Sequence, residues 1–346
     1  MRRLVCLLIA GLCWMFFACE PTRAEGPVET VKGFSDFSQI DLNRLMGGDV
    51  LVARGSLMSF PNGISGQTCF AVALSAEQTA RRLQIWDPAP HGELKVYTFR
   101  SLHTPCELTD FRQLDLSSSQ YPVRWLLDKT LASTSAKSDL NLMRDEVGAL
   151  AACARKHSDP QGVSGCWANL LFDRASKFQQ LGLAGVPPYE TDGERVSPAV
   201  QLRTMLLEEA QVASEFSPLL KEIGVLGNQA APRSSAPFYY WTLFDADHHG
   251  TLSLGAVYLL PVNDHYQLAD VGYYVSGDYY TSVTLYEVWP IRVGEKSGAL
   301  VWRGDYFAAP ILAFTKGTER LAYGALMLQD IKKEIRCFQD DLKAQR

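Results

Sequence analysis

The chain has 346 residues, enough for one large domain or two ordinary ones, and 47% of them are hydrophobic, which supplies material for a sizeable core. The formal charge is −5 and no run of Lys or Arg exceeds two, so neither nucleic acid nor an anionic lipid surface is an expected partner.

The first residues stand apart. Met1-Arg2-Arg3, an apolar run over 4–18 and then Thr22-Arg23-Ala24 follow the three-part plan of a secretory signal at 1–24, cleaved before Glu25. Two alternatives stay open. Cys19 after Phe16-Phe17-Ala18 would carry a lipid anchor, making an outer-membrane or surface lipoprotein, although Phe16 stands where leucine is usual. A retained membrane anchor is disfavoured, because the run falls short of the ~20 residues that span a bilayer. Export to the periplasm or the extracellular space is the expectation. Loss of Arg2, Arg3, Arg23 and Glu20 moves the charge from −5 to −7.

Five cysteines remain in the exported chain: Cys69, Cys106, Cys153, Cys166 and Cys337. An oxidising compartment favours pairing, and an odd number leaves one thiol free. Cys153 and Cys166 flank KHSDPQGVSG, read as a turn-rich connection, so a disulfide there would staple a helical hairpin. Cys69 with Cys106 is a second candidate pair, and Cys337 reads as a buried thiol. No C-x-x-C occurs, which argues against a cysteine metal site.

In chain order, 25–47 is a mixed lead-in with a helical signal at IDLNRLM. DVLVARGSL and GQTCFAVAL read as strands around the turn-forming FPNGISG, SAEQTARRLQIW as a helix capped by Ser75, and LKVYTF as a strand. From 109 to 227 the character is helical: SDLNLMRDEVGALAACARK, CWANLLFDRASKFQQLG ending at Gly182, and SPAVQLRTMLLEEAQVASEF. Residues 228–237 read as a linker. Over 238–346 five strands follow (YYWTLF, TLSLGAVYLL, QLADVGYYVS, YYTSVTLYEVWPI, ALVWRGDYFA), spaced as an antiparallel meander. Val283, Leu285 and Trp289 alternate with Ser282, Thr284 and Tyr286, so one face meets a core and the other meets water or a polar cavity. The chain closes with a helix of roughly 25 residues, about 38 Å, whose stripe is Leu321, Ala325, Leu328, Ile331, Ile335, Phe338 and Leu342.

These elements make an α+β fold: an antiparallel sheet from 25–108 and 238–346, a long C-terminal helix on it, and a central helical insertion. In strand order and in the GTERLAYGALMLQDI entry to the last helix, the chain resembles the START-like, birch-pollen-allergen-like helix-grip superfamily over 238–342, and more loosely over 49–100. Otherwise it looks like an exported bacterial protein, a class with no activity to transfer. What the helix-grip resemblance implies is an apolar cavity between sheet and helix that holds a lipid-like or aromatic molecule.

Catalytic motifs are missing. Gly63-Ile64-Ser65-Gly66-Gln67 breaks G-x-S-x-G at its last position, and there is no S-x-x-K, GxGxxG, Walker loop or H-E-x-x-H. No cofactor is expected. DADHHG places Asp245, Asp247 and His249 at positions 1, 3 and 5 of a calcium loop with Gly250 at the sharp turn. Position 12 is Ala256 in place of a bidentate Glu, and the flanks are strands. The preferred reading is a hairpin with an αL-capable glycine; Asp245, Asp247 and His249 remain the weaker metal alternative. Gly304 in VWRGDY reads as a bulge. Arg303 and Glu287 interrupt neighbouring apolar strands, either as a buried pair or polar handle for a ligand, or as exposed cross-strand partners. With the sheet's aromatic residues they give the candidate ligand set Tyr240, Tyr274, Tyr286, Glu287, Trp302 and Arg303. The expected function is non-catalytic binding of a hydrophobic or lipid-like small molecule. The alternatives are an envelope structural or interaction protein, then a hydrolase.

Overall fold

The computed structural model describes residues 26–344 apart from 56–57, 135–137, 192 and 227–235. The expected signal segment, Cys19 and most of the expected linker therefore lie outside the described residues. Helices α1 (Pro27–Phe34) and α2 (Leu42–Met46) lead into β1 (Val50–Arg54) and β2 (Gly63–Val72). Asp41 starts α2 by accepting from the N–H groups of Asn43 and Arg44. α1 falls in the supposed lead-in, and β2 begins inside the supposed turn. Helix α3 (Ala76–Ile85) starts where expected: Ser75 accepts from the Gln78 N–H, and the Gln78 side chain reaches back to the Ser75 N–H. Strand β3 (Val96–Ser101) follows.

The helical block comprises α4 (Tyr121–Ala132), α5 (Arg144–Lys156) and α6 (Pro160–Leu181), a small hairpin of β4 (Tyr189–Thr191) and β5 (Glu194–Val196), then α7 (Pro198–Glu208), α8 (Ala210–Glu215) and α9 (Ser217–Glu222). The segment KHSDPQGVSG is mostly helix rather than turn. Asp159 caps α6 by accepting from the Gly162 N–H, and Pro160 occupies the first turn, where its missing donor costs nothing. The third expected helix breaks at Glu209 into α7 and α8.

Cys153 and Cys166 form a disulfide across α5 and α6, with Cα atoms 5.9 Å apart. Cys69 and Cys106 do not pair. Cys69 faces Leu51 and Trp302 inside the sheet, whereas the Cys106 N–H donates to Gln179 of α6 at 2.7 Å. Cys337 is a buried thiol.

The meander is β6 (Phe238–Ala246), β7 (His249–Val262), β8 (His265–Val275), β9 (Thr281–Val293) and β10 (Lys296–Ala308), followed by α10 (Thr318–Ala344). The eight-stranded sheet has the order β1-β2-β10-β9-β8-β7-β6-β3 and is antiparallel throughout. Because β3 pairs with β6, Ser101 lies opposite Tyr240 and the chain leaves and rejoins the sheet at one place.

Both faces are covered. Trp241, Leu254, Val271, Leu285 and Trp302 join a core with Trp167, Phe178 and Phe216 of the helical block. Phe70, Leu268, Val288 and Val301 join a second core with Ala76 and Ala80 of α3 and Ile331, Ile335, Phe338 and Leu342 of α10. α10 packs chiefly on β1 and β2, and α3 on β7 to β10. The expected stripe of α10 is only partly covered: Leu328 onward is buried, but Leu321 and Ala325 are exposed.

At the β6–β7 hairpin the left-handed positions are Asp247 (φ 49°) and His248 (φ 66°), as a two-residue turn requires, and not Gly250. Gly250 is needed for another reason: a Cβ there would sit 2.3 Å from the carbonyl oxygen of Pro122 in α4.

Reducing the disulfide should destabilise the protein by about 3 kcal/mol, the chain-entropy value for a loop of this size. Urea unfolding with and without reductant, compared with a Cys153→Ala/Cys166→Ala variant, measures it; equal midpoints would contradict the expectation.

Candidate functional site

Strand alternation, with a register shift in β8 that turns Tyr274 to the same side as Tyr273, divides the six expected ligand residues. The register sets Arg303 opposite Tyr286 and Trp302 opposite Glu287, so Arg303 and Glu287 face opposite sides of the sheet and are not a pair. Tyr240, Tyr286 and Arg303 lie on the α3/α10 face. Tyr274, Glu287 and Trp302 face the helical block, where the Tyr274 ring lies 4.2 Å from the Arg174 guanidinium and Trp302 sits between Phe34 and Phe216 at 4.9 and 5.6 Å. There Glu287 lies 3.2 Å from His265 and faces Glu215, whose carboxyl is pushed up to about 7 by burial and by the charge of Glu287.

On the α3/α10 face Arg303 is fully engaged. Its Nε donates to both oxygens of Asp305 at 3.0 and 2.8 Å, and its terminal nitrogens reach Asp305 at 2.8 Å and both oxygens of Glu334 of α10 at 3.0 Å. Asp305, with no exposed surface, also accepts from Thr284 at 2.9 Å. Burial raises the Asp305 carboxyl, and the Arg303 charge works against that rise. The Arg-Gly-Asp triplet is thus an internal ion pair. Gly304 is no bulge, since β10 keeps unbroken register with β2 and β9; a Cβ there would lie 2.5 Å from the Trp302 ring.

Beside this network Tyr240 donates to Asp270 at 2.8 Å. Burial, with smaller contributions from neighbouring charges, pushes the Asp270 carboxyl up to about 7. On the same face Leu268, Val288 and Val301 are buried, whereas Tyr240, Asp270, Ser282, Thr284 and Phe307 are only half-buried. A strip of the sheet between α3 and α10 therefore keeps access to solvent. Tyr279 rims it, with ring centroids 5.8 Å from Phe307 and 6.5 Å from Phe244.

Two surface grooves lie elsewhere. One of about 690 Å³ runs between Phe111, Asp115 and Ala168, and one of about 530 Å³ lies between the start of α3 and the β9–β10 hairpin. Neither lies between the sheet and α10.

Asp245, Asp247 and His249 are not brought to one point. Asp245 accepts from the His248 N–H at 2.7 Å and pairs with Lys95 at 3.1 Å. His249 turns to Asp278 at 2.6 Å and stacks on Trp125 at 4.1 Å. Ser65 is buried and donates to Glu209 at 3.1 Å.

Sequence reasoning misses Asp270, Asp305, Glu334 and Thr284 as parts of the site. One signal was present: Arg303 and Asp305, two residues apart in a strand, must share a face. Compared with known proteins, the chain matches no family model and no curated protein.

Arg303→Met leaves Asp305 buried without its cation, and should cost about 3–5 kcal/mol, whereas Arg303→Met/Asp305→Leu should recover much of the loss. Urea unfolding of both variants checks it; equal loss in the two would contradict the role of an uncompensated charge. Asp270 gives a pH test. Its folded value, about 7, lies above the ordinary 3.8, so the stability it contributes is present below pH ~4 and lost as pH rises toward 7. Asp270→Asn removes this dependence. The melting temperature of the variant relative to wild type should accordingly be more favourable at pH 8 than at pH 5, and an unchanged difference would refute the assignment.

Proposed function

We propose that the protein is an exported, non-catalytic binding protein whose ligand is a small molecule with an apolar or aromatic body and one polar group. The observation that carries this reading is the half-buried strip on the α3/α10 face. Its floor offers Tyr240, Asp270, Thr284 and Ser282, and its rim offers the rings of Phe244, Tyr279 and Phe307. Aromatic walls around a few fixed polar groups suit such a ligand. The seat is an open shelf between the two helices rather than the closed apolar cavity that the sequence suggested. Asp270 supplies a carboxyl poised between donor and acceptor states near neutral pH. Arg303 holds the floor rigid, since its donors are already spent on Asp305 and Glu334.

The helix-grip likeness is supported by the run β2-β10-β9-β8-β7-β6-β3, with α3 between β2 and β3 and α10 after the last strand. Export rests on the leader read at 1–24 and is supported by the Cys153–Cys166 disulfide, a bond that persists in oxidising compartments. Attachment through Cys19 is the lipoprotein form of the same proposal.

A second reading, an envelope interaction protein, draws on one observation. Around the start of α10, Ile311, Phe314, Leu321 and Leu326 are exposed, Phe314 by 80%. Contiguous exposed apolar side chains mark contact surfaces more often than isolated ones do.

Native mass spectrometry of the protein purified from its own host should show one small molecule per chain, and Thr284→Trp, which fills the strip, should abolish its retention. Repeated preparations without any co-purifying molecule would overturn the binding reading and leave the interaction reading.

A further inference from the structure

On the opposite face of the sheet, where the helical block is packed, three ligand-type side chains from separate elements converge. His265 begins β8, Glu287 lies within β9 and Glu215 ends α8. Their nitrogen and oxygen atoms can all be chosen within 4.8 Å of one another. The cluster alone would carry little, because acidic groups often gather without an ion. What sets it apart is the state of its buried atoms.

His265 is 5% exposed and Glu287 0%, yet neither ring nitrogen of His265 has a hydrogen-bond partner, and neither does Oε2 of Glu287. The 3.2 Å approach of His265 Nε2 to Glu287 Oε1 lacks hydrogen-bond alignment. Leaving buried polar atoms unpaired is expensive, so atoms in this state ask for a ligand. Among the described residues, no Lys or Arg forms an ion pair with Glu215 or Glu287.

The surroundings hold the donors in place. Gln267 donates to Oε1 of Glu287 at 3.2 Å and to the Glu215 backbone carbonyl at 3.1 Å, which leaves the other Glu287 oxygen free. The Trp289 indole stacks on the His265 ring at 3.8 Å and fixes its plane. Asp264 stands 3.6 Å from Nδ1, the place where a carboxylate commonly orients a metal-bound histidine.

We propose that Glu215, His265 and Glu287 bind one divalent metal ion of the zinc class, through Nε2 of His265 and one oxygen from each carboxylate. One imidazole and two carboxylates match zinc and its neighbours, whereas calcium and magnesium prefer oxygen alone. A dication neutralises the two carboxylates and ties α8 of the helical block to β8 and β9. Glu215, half-buried, is the side from which the ion enters. The other such cluster, His91, Glu93 and Cys337, is already internally engaged: Cys337 donates to Glu93 at 3.3 Å, and His91 meets Asp341 at 2.9 Å.

The test is Zn²⁺ titration of chelator-treated full-length protein by calorimetry, with melting curves alongside. One ion per chain and a raised melting temperature are expected. Glu215→Gln and His265→Gln should each weaken binding by at least about tenfold. Co²⁺ should quench indole emission in the wild type and lose that effect in Trp289→Phe. No uptake at about 100 µM Zn²⁺ would overturn the proposal, as would unchanged affinity in Glu215→Gln, which is half-exposed and decides the matter even if His265→Gln fails to fold. Loss of binding in His91→Ala/Cys337→Ser alone would overturn it too, by placing the ion at the other cluster.

Discussion

Successive side chains of a strand point to opposite faces, and here helices roof both faces, so the central strands must satisfy two cores at once. β9 shows the constraint. Val283, Leu285 and Trp289 enter the core shared with the helical block, while Tyr286 and Val288 enter the core beneath α3 and α10. A slip of one residue would exchange the two sets and carry Glu287 into the apolar core under α3. Register is therefore pinned from both sides along β9, and only where it shifts, as in β8 opposite Leu254 and Gly255, do neighbours such as Tyr273 and Tyr274 enter one core.

Hydrophobic burial is strong but non-directional, so a helix held only by apolar contacts can settle in several positions along a sheet. The Arg303 fork removes that freedom for α10. It presents one edge to Asp305 on its own strand and the other to Glu334 on the helix, with both partners at 2.8–3.0 Å. The planar guanidinium demands this two-sided geometry in a way that a lysine ammonium would not. With α10 fixed over β1 and β2, and α3 fixed by its own cap and core, the gap between them persists as a strip of half-buried sheet rather than closing.

The five-strand meander, α3 with its Ser75 cap, the 153–166 disulfide and the last helix were legible because each rests on local pattern: period two, a capping box, two cysteines on adjacent helices, period 3.6. α4 was not, since YPVRWLLDKTLA carries apolar residues at Val123, Trp125, Leu126, Leu127 and Leu131 and so lacks a clean polar face. The α10 stripe was read too long because periodicity reports which residues share a face, not what covers it; Leu321 and Ala325 share the face and meet no sheet. For the site, the individual importance of Arg303 and Glu287 was visible, but their relation depends on strand register, which fixes opposite faces. Glu215 and Glu334 could not be read at all, as each acts on a strand far away in sequence.

The insertion explains why the two faces differ. β3 and β6 are neighbours, so the chain can leave at Ser101 and return at Tyr240 without opening any hydrogen-bonded ladder. A block inserted at such a point is free to fold over whichever face its apolar residues match. Here Phe178 stacks on Tyr273 and meets Tyr239 edge-on, Phe216 lies against Trp302, and Trp167 joins the same core. Among the described residues, the opposite face is covered by a ten-residue helix and by a long helix displaced toward β1 and β2. Apolar volume is thus spent on the side where the insertion sits, and accessible polar surface is left on the other. Half-buried polar groups such as Asp270 and Thr284 therefore lie on the α3/α10 side of the sheet, whereas Glu287 and His265 on the block side are buried beneath the helices.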